Sequence, residues 1–464
     1  MPFLTRLRRP GARNAGVAAL TVALAVLLAA CGQDKYPDSI FHQRTDFNRD
    51  VDFLFKILIY AGTAVFIFVE GILVWTLIRF RRRPGQPEPK HVHGNTALEI
   101  TWTVVPLLIL MMIAIPTVRT IFKTQATARS DALQVEVIGH QWWWEFRYPQ
   151  YTMAGANGRV DTVVTANELY LPIGRTVNFT LRSRDVIHSF WVPALAGKRD
   201  VVSNHTNYLW YTPDSSGVNV WNGACVEYCG TSHANMRFKA FTVAETDFNS
   251  WIAHQQAMAQ GSPAAAAPAG AAPAPTQTTA GAPPVGGSPA RATSSPAANA
   301  AGVGVPTTGA TNTAPTTQVA QAGFVAFPRD KMPAYSVPQT PLPASLRFDD
   351  NALAAGNVAS GEKLVTTGMC IACHSIRGEP MMVGNIGPNL THVGSRTTIG
   401  AGLYPNDPQH LARWIKNANA MKPGIAMPTF GIGEYDPVTL KGPVKTGFTD
   451  QQIADIVAYL QSLK

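Results

Sequence analysis

The residues with the most chemistry in this chain form one short string, Gly223-Ala224-Cys225-Val226-Glu227-Tyr228-Cys229-Gly230-Thr231-Ser232-His233-Ala234-Asn235-Met236. Two thiols, an imidazole and a thioether so close together make a soft donor set, which suits copper better than magnesium or calcium. A mononuclear blue-copper centre needs one cysteine, so the second implies more. Two thiolates can bridge two copper ions, each completed by one histidine and one weak ligand. His188, in Asp185-Val186-Ile187-His188-Ser189-Phe190-Trp191, supplies the second imidazole. A disulfide between Cys225 and Cys229, or a zinc site, is the alternative reading of the same residues.

A second motif lies far downstream, Cys370-Ile371-Ala372-Cys373-His374. Cys-x-x-Cys-His is the attachment signal of haem c: the thiols bond to the porphyrin vinyls and the adjacent histidine is the proximal iron ligand. Gly387-Pro388-Asn389-Leu390 and Lys422-Pro423-Gly424-Ile425-Ala426-Met427-Pro428 follow in that order. The arrangement resembles a class I cytochrome c, which implies an all-α domain, a proline supporting His374, and Met427 as the distal ligand. Met381, Met382 and Met421 are expected at the surface or in packing. Ser360 is placed to cap a helix entering the haem motif, and Thr449 to cap a terminal helix over residues 449–463.

The elements that must hold these groups can be read around them. Short alternating stretches at residues 133–138, 162–171, 177–181, 206–211 and 238–243 predict strands, hence a β-sandwich or Greek-key barrel with its ligands on loops at one end. Upstream, two apolar runs at 53–78 and 97–118 are each long enough to cross a bilayer. Arg79, Arg81, Arg82, Arg83 and Lys90, against Glu88 alone, place the loop between them in the cytoplasm and the rest outside. Glu70, inside the first run, marks a helix face packed on a partner subunit. Residues 1–30 have the basic, apolar, small-residue order of a secretory signal, and Leu28-Ala29-Ala30-Cys31 resembles a bacterial lipoprotein processing box. Residues 255–342, rich in Ala, Pro, Gly and Thr, read as a disordered tether with an r.m.s. span of order 50 Å, carrying a cytochrome domain over 343–464.

With the copper string, the two spans and the strands in place, residues 53–248 resemble subunit II of a haem-copper cytochrome c oxidase. The resemblance implies an all-β cupredoxin-like Greek-key barrel over about 121–254, anchored by a two-helix transmembrane hairpin. It implies a binuclear copper A centre, with Cys225 and Cys229 bridging, His188 and His233 binding one copper each, Met236 as thioether ligand and Glu227 ligating through its carbonyl. The Glu227 carboxylate would also serve a magnesium site shared with the catalytic subunit. In Gly139-His140-Gln141-Trp142-Trp143-Trp144, Trp142 matches the residue that receives the electron from cytochrome c, while aromatic packing at a membrane interface accounts for Trp143 or Trp144. Glu99, opening Glu99-Ile100-Thr101-Trp102, matches the carboxylate at a proton-channel mouth. The implied partners are subunit I with its haem a and copper B, subunit III, and soluble cytochrome c, at a bacterial inner membrane with both redox domains on the periplasmic side. The chain departs from the family where Lys198-Arg199-Asp200 is followed by Val201-Val202-Ser203 instead of the usual Pro-Gly-Arg ending.

Two other functions fit parts of this pattern. A quinol oxidase subunit II lacks the copper ligands. A two-centre electron carrier for a nitrous or nitric oxide reductase would have no use for Glu99 or the Glu227 magnesium position. The net charge of +9 would suggest nucleic acid if it lay on one folded face. Instead it sits in the four arginines of the signal and in the loop from Arg79 to Lys90, so it reports topology and no nucleic-acid partner. Each of the five cysteines has a use: Cys31 in processing, two for copper and two for haem.

Overall fold

The computed structural model describes residues 21, 22, 25, 39–88, 93–125, 131–154, 160–214, 219–259, 323–436 and 443–464. Nearly all of the expected signal peptide, with Cys31, and the expected tether from 260 to 322 lie outside the described residues.

Two long helices, Asp46–Arg79 and Thr96–Gln125, precede the β-domain. Both are apolar over membrane-spanning lengths and, within those lengths, expose their side chains. The first extends beyond the expected span because its start is rooted in the next domain. The Thr45 hydroxyl caps it by accepting from the Asn48 amide at 3.1 Å, Asn48 donates to the Pro193 carbonyl at 3.0 Å, and Phe47 is buried in the β-domain core. Lys56, one turn on, pairs with Asp52 at 2.6 Å. Lys123 near the end of the second helix pairs with Asp50 at 2.6 Å, tying the two outer ends together.

The β-domain is a sandwich of two five-stranded sheets. One has the order β3-β2-β1-β5-β8, built from Val160–Ala166, Trp143–Ala154, Leu133–His140, Val177–Ser183 and Asn207–Tyr211. The other has the order β4-β10-β9-β6-β7, from Glu168–Pro172, Arg237–Val243, Asn219–Cys225, His188–Trp191 and Arg199–Val201. β1 runs parallel to β5 and β4 parallel to β10; the other pairs are antiparallel. The expected strand over 162–171 is two strands, one in each sheet, broken at Asn167, whose φ of 60° turns the chain. The segment that departs from the family ending forms β7 and pairs with the histidine-bearing β6, Ser189 opposite Asp200. Between the sheets, Trp144, Phe146, Phe179, Phe190 and Phe238 are fully buried, and the Phe190 and Phe238 rings stack at 5.0 Å. Trp144 therefore belongs to the barrel core and not to a membrane interface.

From Gly323 the chain lies against the β-domain, so the expected tether ends short of Leu342. Phe327 enters the aromatic core beside Phe241, and Tyr335 donates to the Val220 carbonyl at 2.8 Å. The last domain is helical. Its helix Val358–Thr367 is capped by Asn357, whose side chain accepts from the Ser360 amide, so Ser360 sits inside the first turn and is not the cap. Thr449 caps the terminal helix Asp450–Ser462 and makes a capping box with Gln452. The two helices cross at Gly361, where a Cβ would lie 1.9 Å from the Asp455 carbonyl oxygen. Only glycine permits that approach. Met382 and Met421 are core residues of this domain, and Met381 is exposed.

Candidate metal centres

The residues expected to bind copper arrive from three places: His188 at the start of β6, Cys225 at the end of β9, and Cys229 to Met236 in the loop before β10. The fold brings them into one buried cluster. The two sulfurs are 3.7 Å apart, too far for a disulfide bond of about 2.05 Å. Each faces one imidazole nitrogen: Cys225 Sγ is 3.8 Å from His188 Nδ1 and Cys229 Sγ is 3.7 Å from His233 Nδ1. The Met236 sulfur lies 3.9 Å from Cys229, and the Glu227 carbonyl oxygen 3.2 Å from Cys225. The other four expected ligand groups thus surround the two sulfurs. His188, Cys225, Cys229 and Met236 are buried and His233 is half-buried.

The surroundings prepare these donors. Asp185 Oδ1 bonds His188 Nε2 at 2.8 Å, leaving Nδ1 to face the sulfurs. Burial lowers the His188 pKa, but the bond to Asp185 and the Cys225 sulfur outweigh it and raise the net value. The hydrogen bond between the two sulfurs draws the Cys225 thiol down to about 3 and, with burial, pushes Cys229 up. Gly139 makes room for the imidazole, since a Cβ there would lie 2.7 Å from His188 Cδ2. A soft, buried, pre-oriented donor set without a disulfide fits copper, and two sulfurs with one imidazole each fit a pair of ions. The paired cysteines with His188 are also the described residues whose ligand atoms gather within 4.8 Å.

In the helical domain, His374 Nδ1 donates to the Pro388 carbonyl at 2.8 Å, which leaves Nε2 as the free donor. Burial, aided by Arg396 and only partly offset by the bond to Pro388, lowers the pKa of the imidazole. Gly387 closes against the ring, where a Cβ would lie 2.6 Å from His374 Cε1. Cys370 and Cys373 are free and half-buried, and Met427 is half-buried on the apolar core. This donor set fits a covalently held haem with Met427 as its second axial ligand.

Between the two sites lies Trp142. It is 9% exposed, and its indole Nε1 donates to the Cys229 carbonyl at 2.9 Å. The turn that precedes Met427 covers its other face: a Cβ on Gly424 would lie 3.1 Å from the Trp142 ring. Lys422 Nζ bonds the Trp142 carbonyl at 2.5 Å, and Ser232 donates to the Pro423 carbonyl at 2.5 Å. Burial pushes the Lys422 pKa down to about 7. Trp143 stacks on His140 at 4.2 Å. Glu227 is exposed beside the cysteines, whereas Glu99 is exposed in the first turn of the second helix. At 1.5 Å per residue that turn is roughly 40 Å from the helix's outer end at Gln125, so Glu99 belongs to a different site. Sequence reasoning missed Gly139, Lys422 and the seating of one domain on the other; Asp185 was visible only as a neighbour of His188.

A membrane-anchored cupredoxin-like domain joined to a class I cytochrome c domain is the class of protein that these features define. The profile described as "Cytochrome C oxidase subunit II, transmembrane domain" matches residues 44–120, its periplasmic-domain counterpart 133–243, and "Cytochrome c" 358–464. The chain belongs to the cytochrome c oxidase subunit II family. It is 34% identical over 213 residues to the "Probable cytochrome c oxidase subunit 2" of Rickettsia bellii, covering 44% of this chain and 78% of that one. To the "Cytochrome c oxidase subunit 2" of Alkalihalophilus pseudofirmus it is 26% identical over 417 residues, covering 89% of this chain and 86% of that one. The solved periplasmic domain of subunit II (CoxB) of Bradyrhizobium japonicum is 26% identical, with a TM-score of 0.24, and covers 28% of this chain and 97% of that one. The chain is therefore a subunit of an oxidoreductase complex with an electron-transfer role, a copper A domain and a haem domain. Two membrane-length helices anchor a domain that stands outside the membrane.

Proposed function

We propose that the chain is subunit II of a respiratory, proton-pumping cytochrome c oxidase of a bacterial inner membrane. It passes electrons toward a catalytic subunit that reduces oxygen to water. His188, Cys225, Cys229, His233, Met236 and the Glu227 carbonyl hold the copper pair; Cys370, Cys373, His374 and Met427 hold haem c. Rigidly held, largely dry centres of this kind supply one-electron transfer with little reorganisation. The chain's own residues fix the ligands, exclude water and connect the two sites. The observation that carries the reading is Trp142, bonded to the Cys229 carbonyl and covered by the turn that leads to Met427.

On this reading Trp142 receives the electron for the copper site. The exposed Glu227 carboxylate faces a magnesium ion shared with subunit I, and Glu99 marks the mouth of a proton channel in that subunit. Subunit I with its haem a and copper B, subunit III and a soluble cytochrome c are the partners. Detergent extraction should bring this chain out with a multi-span haem a protein that oxidises reduced cytochrome c. Cys225→Ser should abolish the copper near-infrared band and the oxidase activity while haem c staining persists. Recovery of this chain without an oxygen-reducing partner would remove the oxidase assignment.

A further inference from the structure

The haem domain is joined to the copper domain by more than the chain between them. Glu168, on β4, is 4% exposed, and its Oε1 accepts three bonds from the haem domain. They come from the Thr397 amide at 2.7 Å, the Thr397 hydroxyl at 2.6 Å and the Thr398 amide at 3.3 Å. Burying a carboxylate costs several kcal/mol unless such donors meet it. Arg377, three residues past His374, reaches the other way. Its guanidinium donates to the carbonyls of Gln256 at 2.8 Å and Gln255 at 2.7 Å, and to that of Ala257, at the end of the copper-domain helix Glu245–Gln256. Those carbonyls have no partners within the helix and carry its partial negative charge.

The strap over residues 323–336 adds a third attachment. The Phe327 amide donates to Tyr170 Oη at 3.1 Å, and Lys239 Nζ holds the Ser336 carbonyl at 2.5 Å. Only residues 337–345 then separate Ser336 from Leu346, a core residue of the haem domain. Arg329 in the strap donates to the Arg396 carbonyl at 2.6 Å. A domain moving freely on the full stretch from 260 would make none of these contacts.

Building on the proposed electron-transfer role, we infer that Glu168 and Arg377 are reciprocal latches that seat the haem domain in one fixed position over Trp142. The domain is then not a shuttle on the 260–322 segment but a fixed cover on Trp142. Neither latch residue touches a metal ligand; both are positioning residues.

The test uses the full-length membrane protein with a protease site engineered between residues 260 and 322. After cleavage, the wild-type strap and haem domain should stay with the membrane fraction through a salt wash. In the E168A/R377A double variant at least tenfold more should be released. Release of the wild-type fragment on cleavage alone overturns the seat. Retention of the double variant's fragment overturns the latch role and leaves the strap as the holder. Haem c absorbance of the released fragment and the near-infrared band of the remainder show that both domains stayed folded. Should the double variant not assemble, flexible segments of half and double length in place of 260–322 decide the matter in an otherwise unaltered chain. Copper reduction by haem c should keep its rate within about twofold, and a rate that falls with length overturns the seat. Missing copper or haem signals in the wild type would count against the proposed function, because retention of the cut fragment is read by protein staining alone.

Discussion

At Gly139 a side chain has no room, because a Cβ would lie 2.7 Å from Cδ2 of His188. Gly139→Ala should displace the imidazole, with loss or broadening of the copper near-infrared band at unchanged haem c content. An unaltered band would show that the ring does not depend on this contact. The proposed ligands could be picked out in sequence because most of them occupy a single loop, where spacing and donor type can be read directly. Gly139 was not, since its importance lies in a contact with a residue 49 positions away. Asp185 was halfway legible: it stands three residues before His188 and bonds the far side of the ring. At the haem site Pro388 was expected to support His374, and its carbonyl accepts the Nδ1 proton at 2.8 Å.

Among the elements, strands whose alternation is clear, such as Leu133–His140 and Val177–Ser183, could be read from sequence. Trp143–Ala154 could not, because its pairing register shifts between Tyr148 and Thr152 and its aromatic start reads as a surface patch. β9 was hidden for a different reason: Asn219–Cys225 runs straight into the ligand loop, and its chemistry masks its pattern. The strap was absorbed into the linker by composition, since proline-rich stretches look alike whether or not they pack. Its anchors are single side chains, above all Phe327, which is 5% exposed. Phe327→Ala should destabilise the copper domain by about 3 kcal/mol, the usual cost of emptying a buried phenylalanine site. Thermal unfolding followed by tryptophan fluorescence measures this, and a change below about 0.5 kcal/mol would place Phe327 outside the core.

For the molecule as a whole, the order of parts was legible and their seating was not. Glu168 and Thr397 stand 229 positions apart, and no local pattern links two polar residues at that distance. The interface also contains the His254 and His392 rings, 4.5 Å apart, with Arg377 Nη2 3.4 Å from His392 Nε2. Burial, then His254 and Arg377, push the His392 pKa down to about 3 from its ordinary 6.5. Between those values an undocked His392 binds a proton that the docked one does not, so seating is whole above about pH 6.5 and weakens as pH falls below it. Glu168 acts in the opposite sense, because burial raises its pKa. In an E168Q background, moving from pH 7.5 to 5 should therefore increase release of the cleaved haem domain, and His392→Phe should reduce that increase, the remainder coming from His254, whose pKa burial and Arg377 also lower. A pH-independent release would refute the histidine's part. The central claim, that Cys225 and Cys229 bridge two copper ions beside a haem c, is tested most directly by electron paramagnetic resonance of the isolated protein as purified. The expected spectrum is a hyperfine pattern from one unpaired electron shared by two copper nuclei, lost in Cys229→Ser while haem c persists. A single-copper pattern, or zinc in the cluster with no copper signal, would contradict it.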